Sequence, residues 1–84
     1  MERLTRTLPG GGYAAESSTD QELLTRLGSL EDLYDALLAE RERITAEMER
    51  LRGQGKVKTA TYQQRIAGRL MVQNLIDRFD IYAK

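Results

Sequence analysis

Apolar residues follow a four-three spacing through the first half of the chain: Leu23, Leu27, Leu30, Tyr34, Leu37, then Ile44, Met48 and Leu51, with Arg41 breaking the seam. A period of 3.5 residues marks a helix with one stripe that packs against another helix. Gly53-Gln54-Gly55 interrupts the pattern, and a helical period then resumes over a wider arc. Met71, Val72, Leu75, Ile76, Phe79 and Tyr82 span roughly 140° at 100° per residue. Tyr62, Ile66 and Leu70 form a second, offset patch. Two helices joined by a short loop predict an antiparallel αα-hairpin of coiled-coil character. One partner helix cannot cover both patches, and a bare two-helix hairpin buries little apolar surface against its ordering entropy. The expectation is therefore self-association, most simply a dimer forming a four-helix bundle, with Met71, Val72, Leu75, Ile76, Phe79 and Tyr82 as the oligomer interface. The other available cover is the N-terminal arm and a short helix after it, folded back as a third layer.

Capping signals place the element ends. Thr19-Asp20-Gln21-Glu22 reads as a capping box for a short helix over about 20–27, and Gly28 suits the position just past its end. Ser29-Leu30-Glu31-Asp32 reads as a second N-cap, opening a long helix from Leu30 to about Arg52. Thr59 or Thr61 starts the next helix, which runs to about Ala83. At 1.5 Å per residue both long helices come to roughly 35 Å. Residues 1–19 have another character: Leu4-Thr5-Arg6-Thr7-Leu8 alternates with period two, and Pro9 with three glycines then leads to Tyr13-Ala14-Ala15. This segment is either a small β-ribbon around the Pro-Gly turn or a flexible arm. The organisation expected is an N-terminal arm, 1–19, followed by an all-α hairpin domain, 20–84.

Composition supports the class. Twelve Leu and eight Ala stand against six Val and Ile together, and Pro9 is the only proline. The chain has no Cys and no His, which excludes disulfides, Cys/His zinc sites, histidine bases and cysteine nucleophiles. No cofactor or metal is expected, and an enzyme would have to work with carboxylates in a pocket that a small hairpin does not provide. No apolar run is long enough for a membrane span.

Thirteen basic and thirteen acidic residues cancel, which argues against a strongly basic nucleic-acid binder on bulk charge. Their distribution is uneven. Glu16 to Glu49 holds ten acids and three arginines, whereas Arg50 to Arg69 holds six bases and no acid. Arg50 and Arg52 complement a helix C-terminus, but Lys56 and Lys58 precede a helix N-terminus that is already positive. The candidate partner- or anion-binding surface is therefore Arg50, Arg52, Lys56, Lys58, Thr59, Tyr62, Arg65 and Arg69, with the Tyr62 ring free to meet a partner. Gly53-Gln54-Gly55-Lys56 lacks the spacing of a phosphate-binding P-loop and follows a helix where a strand is required. Arg41 in the apolar seam is expected beside Gln73 or Asp77, as a polar pair that fixes register.

The opening Met1-Glu2-Arg3-Leu4-Thr5-Arg6, with Arg26-Leu27-Gly28-Ser29-Leu30-Glu31-Asp32 some twenty residues on, resembles the start of small phage and prophage proteins of Gram-positive gut bacteria. The resemblance covers about the first 32 residues and carries no site residue with it. It implies an accessory protein of a mobile element in a bacterial cytoplasm, a setting in which small cofactor-free proteins act by binding, including inhibitors of host defence enzymes such as anti-CRISPR proteins. Together these readings give a non-enzymatic helical interaction protein that binds itself and a larger host or phage protein. The alternative is a nucleic-acid- or nucleotide-binding factor that uses the basic tip.

Overall fold

A computed structural model describes residues 1–83, so the last residue of the expected 20–84 domain lies outside it. The order of elements is β1 (Thr5–Thr7), β2 (Tyr13–Ala15), α1 (Asp20–Gly53) and α2 (Ala60–Tyr82). By Cα packing the chain divides inside α1, into Met1–Asp32 and Leu33–Lys84.

In the first unit the N-terminal segment is a ribbon. β1 and β2 pair antiparallel, with Thr5 opposite Ala15, Arg6 opposite Ala14 and Thr7 opposite Tyr13. The Gly11 amide donates to the Leu8 carbonyl (3.0 Å) to close the turn over Pro9 and Gly10, and Gly11 and Gly12 take positive φ (94° and 81°). Those angles are costly for any residue with a Cβ, which accounts for the glycine run. A three-residue ribbon is marginal alone, and this one is tied down. The Glu16 amide donates to the Leu4 carbonyl (2.8 Å), and Arg26 Nη1 on α1 donates to the Glu2 carbonyl (2.7 Å). The Thr19 hydroxyl accepts from the Glu22 amide (3.1 Å), so the expected N-cap starts α1.

The expected break at Gly28 does not occur: α1 runs for 34 residues without interruption. Gly28 keeps a negative φ, so it is not the left-handed C′ residue that ends a helix. Glycine inside a helix costs only about 1 kcal/mol against alanine, less than a second cap and a fresh nucleation would cost. Ser29 is therefore an ordinary residue on an exposed helical turn. The helices are unequal, 34 and 23 residues, rather than a matched pair.

In the second unit α1 and α2 form the expected antiparallel hairpin. Its tip has a full C-terminal lock: the Lys56 amide donates to the Leu51 carbonyl (2.9 Å), and the Gly55 amide donates to the Arg52 carbonyl (3.0 Å). Gly55 sits between them with φ of 71°, the Schellman arrangement. Thr59, not Thr61, caps α2, and its hydroxyl accepts from the Tyr62 amide (3.2 Å). The core is thin. Leu37, Val72 and Ile76 form its buried centre, with Tyr34, Leu38, Ile44 and Phe79 packed around it.

Among the described residues four side-chain hydrogen bonds cross the hairpin, and all share one register. Arg52 pairs with Tyr62, Thr45 with Arg69, Arg41 with Gln73, and Tyr34 with Asp80. Every pair is centred on Val57. Polar groups thus key the alignment that a smooth apolar seam would leave free to slide.

Candidate functional site

Two surfaces of the helical hairpin carry candidate chemistry: its basic tip and the outer face of α2. At the tip, most of the charge is already committed within the chain. Arg52 Nη2 donates to the Tyr62 hydroxyl (3.0 Å), which raises the guanidinium's affinity for its proton still further. Arg69 Nε donates to Thr45 Oγ1 (2.9 Å). Arg65 Nε is buried 2.9 Å from Glu47 Oε1, a charge contact that lacks hydrogen-bond geometry, and Arg50 also approaches Glu47 at 4.0 Å. The Thr59 hydroxyl donates to the Lys56 carbonyl (2.7 Å) while accepting from Tyr62, so it offers little to an incoming anion. Lys56 and Lys58 remain exposed.

Tyr62 corrects the sequence reading most clearly. Its ring is 7% exposed, buried where the tip closes, and cannot stack on a partner. The hydroxyl emerges only far enough to accept from Arg52, and this bond joins the last turn of α1 to the first turn of α2.

The expected oligomer interface divides in two. Val72 and Ile76, each 2% exposed, lie in the hairpin's own core. Phe79 is half-buried and meets Tyr34 edge-on, with ring centroids 5.8 Å apart at 63°. Met71, Leu75 and Tyr82 point outward, and Leu70 and Ile81 join them. These five side chains are between 42% and 90% exposed. Leu70 thus separates from Tyr62 and Ile66, the two residues with which the sequence pattern groups it. Ile81 carries a usable signal, since it lies on the same turn as Tyr82, but a pattern centred on Val72 and Ile76 passes over it.

Arg41 lies where its place in the seam predicts. Its Nη1 donates to Gln73 Oε1 (3.0 Å), and Gln73 Nε2 donates to Asp77 Oδ1 (2.9 Å). The Tyr34 hydroxyl donates to Asp80 Oδ1 (2.7 Å), and this bond, with a smaller contribution from desolvation, holds the phenol above its ordinary pKa.

Two shallow concavities among the described residues carry no reactive pair. One of about 350 Å³ in the first unit is lined by Leu4, Gln21, Glu22, Thr25, Arg26 and Ser29. Another, of about 330 Å³ beside Ile44 and Gly68, holds Glu40, Arg43, Glu47, Gln64 and Arg65. Among the described residues no group of acidic side chains is placed to hold a metal ion, and no helix is long and apolar enough to cross a membrane. No protein-family model matches the chain, and neither the curated proteins nor the solved structures contain a significant match.

Proposed function

We propose that this chain is a non-enzymatic protein-interaction module that works through the outer face of α2 against another helical surface. One observation carries the reading: Leu70, Met71, Leu75, Ile81 and Tyr82 stand exposed on the side of α2 turned away from α1. Single surface leucines need no explanation, but Met71, Leu75 and Tyr82 recur along one stripe of the helix, and Ile81 adjoins Tyr82 at its end. The resemblance of the first 32 residues extends the proposal to a setting, an accessory factor of a phage or prophage that inhibits a host defence protein by binding it. A nucleic-acid or nucleotide role through the tip draws less support, because four of its six bases already have partners within the chain.

The test compares the full chain with Leu75→Glu, which charges the outer face and leaves the inner seam alone. Crosslinking in bacterial lysate and in pure solution should give a stoichiometric protein adduct with the parent chain. The variant should lose it with helical circular dichroism unchanged. An adduct that survives in Leu75→Glu, or a catch that is nuclease-sensitive and salt-labile, would refute the reading.

A further inference from the structure

The outer face of α2 has an internal order beyond being apolar. Its residues fall in five layers: Ala67 with Gly68, Met71, Asn74 with Leu75, Arg78, and Ile81 with Tyr82. The layers recur every 3.5 residues, the period of a coiled-coil seam. At 100° per residue their centre lies roughly 150° around the helix from the face formed by Val72, Ile76 and Tyr62. Gly68 borders the inner side, since a Cβ there would lie 3.9 Å from Ile44 Cδ1.

The five layers are also palindromic in position and complementary in size. Small residues, Ala67 and Gly68, occupy one end, and large ones, Ile81 and Tyr82, the other, equally far from a centre between Asn74 and Leu75. A parallel partner would set bulk against bulk at one end and leave a gap at the other. An antiparallel copy of the same helix sets Ile81 and Tyr82 over Ala67 and Gly68 at both ends. It also lays the aliphatic stem of Arg78 on Met71, and brings Leu75 and Asn74 of the two copies together at the axis. Surfaces that complement themselves in this manner make isologous two-fold interfaces.

We infer that the partner for this face is a second copy of the chain, packed antiparallel along α2 with the two-fold axis between Asn74 and Leu75. The inference rests on the reading of the outer face as an interaction surface and names its occupant. The amount of surface suits a dimer. Met71, Leu75, Ile81 and Tyr82, the large apolar side chains of the layers, are 42% to 90% exposed and offer a few hundred Å², short of the ~800 Å² per partner of a standard interface, which suits a reversible dimer rather than an obligate one. Asn74 at the axis supplies the buried polar pair that fixes register in a coiled coil.

The absence of native cysteine permits a direct test with single-cysteine variants of the full chain. Sedimentation equilibrium of the pure parent protein should show a reversible dimer at micromolar concentration, and Leu75→Glu should raise its dissociation constant at least tenfold. On mild oxidation Asn74→Cys should link to itself. Tyr82→Cys should not, but should form a mixed disulfide with Ala67→Cys, because disulfides require Cα atoms within about 7 Å. Self-linking of Tyr82→Cys would mean a parallel dimer and overturn the inference. So would a dimer that none of these cysteines traps. A parent chain that stays monomeric in pure solution overturns the second copy as occupant. If it still yields a Leu75-dependent adduct in lysate, the outer face stands as an interaction surface for another protein, and if both fail the underlying reading falls too.

Discussion

Replacing Ile76 with alanine removes three carbons from a side chain that is 2% exposed and clusters with Leu37 and Val72, against which Tyr34, Leu38, Ile44 and Phe79 pack. At about 0.8 kcal/mol per buried methylene the lost transfer free energy is about 2.4 kcal/mol. The vacancy adds about 1 kcal/mol more, because two keyed helices cannot fully close over it. The expected loss is therefore about 3–4 kcal/mol, a large share of the ~5–15 kcal/mol that holds a small domain. Ile76→Val removes one carbon and should cost about 1 kcal/mol. Urea unfolding followed by circular dichroism at 222 nm reads both, with lower midpoints and an unchanged slope. The penalty at Ile76 should appear at every protein concentration. Leu75→Ala, one residue away and 42% exposed, should cost little in dilute protein and more as concentration rises. If Ile76→Ala costs no more than Ile76→Val, or if dilute Leu75→Ala matches it, the division of α2 into an inner and an outer face is wrong.

Gly55→Ala forces a side chain into a left-handed backbone and should lower stability by about 1–2 kcal/mol, seen as a reduced melting temperature with the same helical spectrum. Arg41→Leu should leave the melting temperature unchanged or higher while broadening the NMR spectrum through competing registers; a sharp, native-like spectrum would show that the other cross-helix bonds suffice. The Tyr34 phenol is held above its ordinary pKa of 10.0, so the folded state retains that proton longer than the unfolded chain. Its contribution is complete below pH 10 and is lost as pH rises through the raised value, and Tyr34→Phe should remove this part of the alkaline decline in stability.

The elements were legible because their signals are local. The seam from Tyr34 to Leu51, the Gly55 stop and the Thr19 and Thr59 caps each depend on a few neighbouring residues and appear in the structure, whereas Leu27 in the seam's first part stands 54% exposed. Gly28 misled because glycine ends a helix only where its backbone turns left-handed, and the residues after it decide whether it does. Ser29-Leu30-Glu31-Asp32 suits an exposed helical turn as well as it suits a cap. The division of α2 was harder to read. An apolar arc of roughly 140° shows that the helix is wrapped on more than one side, but not which side α1 takes. The hairpin register decides that, and it is set by pairs far apart in sequence, Arg52 with Tyr62 and Tyr34 with Asp80. Arg41 was the one long-range signal visible in the sequence, since a charge inside an apolar seam needs a partner. Tyr62 was misplaced for the converse reason: a tyrosine among basic residues reads as a surface ring until the tip closes over it.

The common centre of the cross-helix bonds makes the tip a selector between two surfaces. One residue added between Gly53 and Thr59 would advance α2 by about 100° of rotation. Met71 and Leu75 would then enter the slots of Val72 and Ile76, which would turn outward. The exchange is apolar for apolar at those two slots, but it also carries Arg78 into the place of Phe79 and Thr61 into that of Tyr62, so packing would resist it in part. The four keyed hydrogen bonds would oppose it, because none survives the shift. A change of loop length, with no substitution in either helix, would thus present a different outer surface to partners, and proteins built on such a hairpin could acquire a new binding face by insertion alone.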